Sequence, residues 1–179
     1  MIERLKEVAV KQKCVSLYMD SEDTSRFVFG RILCVNGDHI AILMISPEGD
    51  YDGLLVKRTE AVIRLEMDDK YARKMHKLCN EKNVAEFEGV IDELDIVKSA
   101  LDYAKTAKKI ISCELLNSGS DDIVGFLEDI KNGLCEIKQV DAEGCEDGYS
   151  YIMMNDITQI SYDSKEEQFL LRLWKQNNA

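Results

Sequence analysis

The residues of this sequence whose types can do chemistry are two histidines, six cysteines and a few clustered acids. His39 lies at a turn and His76 in a helical stretch, and neither has a cysteine or second histidine at metal-ligand or general-base spacing. Both read as solvated imidazoles. Cys14, Cys34, Cys79, Cys113, Cys135 and Cys145 include no Cys-x-x-Cys pair, and four of them sit in apolar surroundings. That pattern predicts buried thiols in a reducing compartment rather than disulfides or zinc. Nucleophile elbows, Walker loops, His-Glu-x-x-His and dinucleotide fingerprints are absent from the sequence. The expectation is a protein that is not an enzyme, with no catalytic, cofactor-binding or metal-binding residues.

Two acidic segments offer oxygens of the kind that hard cations take: Glu48, Asp50 and Asp52, and Asp141, Glu143, Glu146 and Asp147. Neither has the glycine and glutamate positions of a calcium loop, so both read as charged hairpin tips that keep a turn solvated. Tyr51, Tyr149 and Tyr151 flank these turns, where an amphipathic ring either packs locally or stacks on a partner. A basic cluster, Lys57, Arg58, Arg64, Arg73, Lys74 and Lys77, is the candidate contact for RNA or a protein partner. Arg73, Lys74 and Lys77 share a helical face, with Asp68 and Asp69 close by. The cluster lacks the interleaved aromatics on which single-stranded bases stack.

Charge is distributed unevenly behind these residues. Positions 1–90 carry 14 Lys and Arg against 16 Asp and Glu, a net of −2, whereas positions 91–179 carry 9 against 18, a net of −9. The second half repels phosphate backbones, since nucleic-acid affinity rests on cations that displace counterions. The longest uninterrupted apolar run, Ile40 to Ile45, is far short of the roughly 20 residues that cross a bilayer, and the first ten residues lack a signal-peptide core. A cytoplasmic protein without membrane contact is expected. With 45% hydrophobic and 32% charged residues, the chain has enough apolar side chain to bury a core.

The elements that position all of this recur at an offset of about 95 residues. Gly30 falls on Gly125, Gly49 on Gly144, Gly53 on Gly148, and Asp68-x-Lys70 on Asp163-x-Lys165. Glu-Gly-x-x-Asp-Gly occurs at 48–53 and again at 143–148, and Asn36-Gly37 meets Asn132-Gly133 one residue out of step. Each half opens with a helical pattern, Ile2 to Gln12 or Glu93 to Lys108. Strands are expected at 15–19, 27–35, 40–45, 54–57 and 61–67, and in the second half at 110–116, 123–130, 134–140, 150–154 and 157–162. Asn-Gly marks a tight hairpin turn in both halves. A helix closes each half, the second opened by Ser164 and Glu167 at capping-box spacing. The expected division is 1–82 for the first unit, 83–92 for a linker and 93–179 for the second unit.

One strand differs between the halves. Ala41, Leu43 and Ile45 make both faces of the third strand apolar, while the residues 95 positions later are Glu136, Lys138 and Val140. Ala41, Leu43 and Ile45 are therefore the candidate interface, either between the units or with another copy.

A leading helix and five short strands, with Phe29-Gly30-Arg31-Ile32-Leu33 in the second and Val62-Ile63-Arg64-Leu65 in the last, resembles the Sm-like fold, here in tandem. It is similar to bacterial proteins that carry such repeats. The resemblance implies a mainly β protein with flanking helices (α+β): two tandem Sm-like small β-barrels, each preceded and followed by a helix. It also implies a tendency to self-associate. The base-binding pocket of that family does not carry over, because Arg64 is followed by Leu65, its counterpart is Gln159, and the turn after the third strand reads Ser46-Pro47-Glu48. The functional expectation is a non-enzymatic module for protein binding or assembly. The alternative is an RNA-associated regulator that uses the basic first unit.

Overall fold

The computed structural model describes residues 1–82 and 87–179, with backbone only at 80–82, so the first four residues of the expected linker lie outside the described residues. The chain divides into two units, Met1–Ile96 and Val97–Ala179. The division falls at the first residue of a helix, a few positions after the composition-based linker.

The first unit runs α1 (Ile2–Val10), β1 (Cys14–Tyr18), β2 (Val28–Val35), β3 (His39–Ile45), β4 (Tyr51–Arg58), a 3-10 turn (Thr59–Ala61), β5 (Arg64–Glu66) and α2 (Lys70–Lys82). After α3 (Ile96–Thr106), the second unit runs β6 (Ile110–Leu115), β7 (Ile123–Lys131), β8 (Leu134–Val140), β9 (Glu146–Met153), a 3-10 turn (Met154–Asp156), β10 (Ile157–Tyr162) and α4 (Lys165–Asn177). Strand order is β5-β1-β2-β3-β4 in the first unit and β10-β6-β7-β8-β9 in the second. The ladders within each unit are antiparallel.

Mainly β architecture with flanking helices is therefore as expected. Closed barrels are not what the ladders form: in each unit the two end strands of the order share no described ladder. In the first unit β5 spans only Arg64–Glu66 where strand was expected over 61–67, and Ala61 instead closes the 3-10 turn Thr59–Ala61. Its place in the core is taken by side chains: Leu5 and Val8 of α1 and Val62 pack with Val15, Leu17, Ile32, Ile40, Ile42 and Leu55. α1 forms because Leu5, Val8 and Ala9 recur at helical spacing and bury one stripe.

Bulges at Ile32/Cys34 and Leu43/Ile45, and at Leu127/Asp129 and Lys138/Val140, bend the strands of the two units at corresponding places. Two glycines per unit answer to that geometry. A Cβ on Gly30 would run into the carbonyl oxygen of Leu43, and one on Gly125 into that of Lys138. Gly49 and Gly144 have φ of +84° and +77° and face the closing helices, where an added Cβ would meet Leu78 Cβ at 2.9 Å or Leu173 Cβ at 2.6 Å.

The two Asn-Gly turns differ. Asn132 and Gly133 have φ of 52° and 79°, and Lys131 pairs with Leu134 across a two-residue loop. In the first unit Val35 pairs with Ile40 across four residues, and Asn36 Oδ1 accepts from the amides of Asp38 and His39 at 2.9 and 2.8 Å. The asparagine side chain there adds an Asx turn to the main-chain bond from the Asn36 amide to the His39 carbonyl at 2.9 Å.

The capping box of α4 is present, with Ser164 accepting from the Glu167 amide. Glu167 is buried: its Oε1 accepts from Ser112 at 2.8 Å and Ser161 at 2.7 Å, and its Oε2 from the Ser164 amide at 2.8 Å. One carboxylate thus ends the helix and ties it to β6 and β10.

Candidate functional site

Exposed apolar surface gathers on the β8–β9 hairpin. Register places Leu134 opposite Met153, Glu136 opposite Tyr151 and Lys138 opposite Tyr149, so these six side chains share one face of the sheet. Leu134, Tyr149, Tyr151 and Met153 are 40, 49, 60 and 43% exposed, while Cys135, Ile137 and Ile152 on the reverse face are buried. Among the described residues β9 pairs with β8 alone and stands last in the strand order.

Local chemistry holds this face in place. Tyr151 donates its hydroxyl to Glu136 Oε1 at 3.2 Å, and that bond raises the phenol pKa above its ordinary value. Lys138 Nζ lies 2.7 Å from Glu146 Oε2 and 5.4 Å from the centre of the Trp174 ring. Its ammonium is favoured first by the hydrogen bond to Glu146. At the tip, Asp141 Oδ1 accepts from the amides of Glu143 and Cys145, and Asn177 of α4 donates to the carbonyls of Glu143 and Gly144. The acidic tip is thus an Asx turn clamped by a helix.

Tyr149 and Tyr151 were singled out in the sequence as residues able to stack on a partner; Leu134 and Met153 were not. The missed signal is the register itself, since residues two apart on β8 share a face with alternate residues of β9.

In the first unit the equivalent pairs are Ala41 opposite Val56 and Leu43 opposite Leu54. All four are buried, Ala41 fully and Leu43 to within 3%. Ile45 is also buried, against Phe29, Ala72 and Met75. Ala41, Leu43 and Ile45 of the candidate interface are thus all buried, and Ile45 packs against α2 of its own unit.

The basic cluster is divided among three elements. Lys57 and Arg58 end β4, where Arg58 faces His39 across the ladder. Arg64 on β5 places its guanidinium 3.6 Å from the centre of the Tyr18 ring, donates to the Thr24 carbonyl at 3.1 Å and lies 3.5 Å from Glu66. Arg73 donates to the Asp68 carbonyl, and Lys74 and Lys77 are exposed on α2. A depression of about 430 Å³ lined by Met1, Ile2, Glu3, Gly37, Thr59, Glu60 and Val62 carries only Glu3 and Glu60 as charged side chains.

His39 is half-buried; burial first and Arg58 second lower its pKa, and its Nε2 has no hydrogen-bond partner among the described residues. His76 lies 6.4 Å from Phe29, ring centre to ring centre. Burial pushes the Cys14 and Cys34 thiols up to about 11 and raises those of Cys113 and Cys135. Cys145 alone among the six is exposed. Among the described residues no group of three or more His, Cys, Asp or Glu side chains is arranged to hold a metal ion, and no helix is long and apolar enough to cross a membrane. No protein-family model, curated protein or solved structure matches this chain.

Proposed function

We propose that the chain is a non-enzymatic protein-binding module, built from two Sm-like units, that engages a protein partner through β9 and the exposed face of the β8–β9 hairpin. The observation that carries this reading is the coincidence of four exposed apolar side chains, Leu134, Tyr149, Tyr151 and Met153, with a strand that among the described residues is paired on one side only. An edge strand offers unpaired amides and carbonyls to an incoming chain, and adjacent aromatics supply contact area at low entropic cost. The equal element order and strand order of the two units support the Sm-like reading, in which each bent sheet is an opened version of the small barrel. A cytoplasmic location accords with six thiols, five of them at least half-buried.

The test is a photo-crosslinking side chain placed at Tyr151 and, as control, at exposed Lys11 just after α1 in the cell of origin. Covalent adducts with protein at position 151 and none at position 11 are expected. RNA adducts, or the same adducts at both positions, would overturn the proposal. An RNA result would favour the regulator reading through Lys57, Arg58, Arg64, Arg73, Lys74 and Lys77. That reading draws on fewer open cations than the sequence suggested, since Arg64 is already held by Tyr18 and Glu66.

A further inference from the structure

We infer that the partner of β9 is a cationic extended segment of another protein, added antiparallel as a new strand beside β9; this deepens the protein-binding reading above and rests on it. β9 is eight residues long, and natural edges of that length are normally blunted by charged side chains, lysine above all, by proline or by bulges, which β9 carries only at its start, as Glu146, Asp147 and the Lys138/Val140 irregularity. From Glu146 to Met153 there is no Lys, Arg or Pro. The bulge at Lys138/Val140 lies at the start of the strand, leaving Tyr149 to Met153 in regular register with β8. Alternate residues of this stretch, Tyr149, Tyr151 and Met153, stand exposed on one face, while Ile152 is buried on the other. An added strand with an apolar residue at every second position would cover that face.

Charge selects among such strands. The turn before β9 and the start of β9 are acidic: Glu143, Glu146 and Asp147 are exposed, and of these three only Glu146 has an ion-pair partner, Lys138, among the described residues. The half of the chain from residue 91 onward carries a net −9. In antiparallel addition the C-terminal end of the incoming strand lies beside Glu146 and Asp147, so Lys or Arg belongs at that end. A second copy of this chain fits worse: antiparallel β9–β9 pairing would bring two such acidic units together with no cation in the strand to answer Asp147.

The test screens displayed random peptides of about ten residues against the intact chain, then measures selected peptides by fluorescence anisotropy. Selected peptides should alternate apolar residues and carry Lys or Arg near the C-terminus. Their affinity should fall roughly fivefold for Glu143→Lys with Asp147→Lys, fall as salt rises, and vanish when alternate peptide amides are N-methylated. Unchanged melting of the double variant confirms that it folds. Selection of neutral or acidic peptides that are still lost on N-methylation would overturn the cationic partner and leave the edge reading standing. Peptides indifferent to N-methylation, or no selected peptide at all, would overturn the added strand. A sedimenting dimer dispersed by Tyr149→Lys with Tyr151→Lys would assign the edge to a second copy and overturn the inference. Crosslinking at position 151 judges the wider protein-binding reading independently of peptide charge.

Discussion

At the scale of single residues, exposure and backbone contact set the consequences. Burial holds the Cys14 and Cys34 thiols near 11, so at a pH of about 8 they are almost wholly protonated and slow to react. Cys145 is exposed at the hairpin tip. Titration of the native protein with a disulfide reagent should therefore show one fast thiol, lost in Cys145→Ser, and all six only after denaturation. Glycine positions separate in the same way. Gly30→Ala forces a methyl group against the Leu43 carbonyl and should cost about 1–3 kcal/mol in urea denaturation. Gly37→Ala meets nothing within 4 Å and should leave stability within about 1 kcal/mol of the parent protein. His39 supplies a pH signature. Its pKa is lowered in the folded state, so the unfolded chain binds the proton more readily. Its contribution to stability is present above about pH 6.5 and is lost as pH falls. Denaturation midpoints should drop from about pH 7 to pH 5 less steeply in His39→Gln.

At the scale of elements, the same strand position has opposite fates in the two units. Leu43 on β3 is 3% exposed, whereas the Lys138 side chain on β8 is 23% exposed and salt-bridged to Glu146. Leu43→Glu buries an unpaired carboxylate and should cost at least about 3 kcal/mol, enough to unfold a marginal domain. Lys138→Leu should change the melting temperature little while enlarging the exposed apolar face. Circular dichroism melts of the two variants check both statements. The docking of α4 rests on Glu167, which serves the helix start and two serines at once. Glu167→Ala leaves Ser112 and Ser161 without their acceptor and should lower stability by about 2–4 kcal/mol. Ser112→Ala removes a single bond and should cost about 1 kcal/mol. A larger loss for Ser112→Ala than for Glu167→Ala would contradict this division of roles.

At the scale of the whole chain, charge and surface decide partners. A net charge of −11, concentrated after residue 90, gives polyanions little to hold. Purified protein should carry no co-purifying RNA, and filter binding should show no more than weak, salt-sensitive retention. An absorbance ratio typical of nucleoprotein would reverse the order of the two functional readings.

Element order was legible in the sequence because each signal was local: helical spacing at Leu5, Val8 and Ala9, alternation along β8, and the capping box at Ser164 and Glu167. Gly30, Gly125, Gly49 and Gly144 also announced themselves, since only glycine tolerates the contacts and positive φ found there. Three features depended on long-range contact. Ladder partners left the sheet of each unit open, with α1 side chains completing the core of the first. The apolar far side of β3 was plain in the sequence, but its burial, and the exposure of Tyr149 and Tyr151 on the equivalent face, depend on packing partners distant along the chain. Local pattern determines which residues share a face; only the tertiary structure decides whether that face meets protein or water.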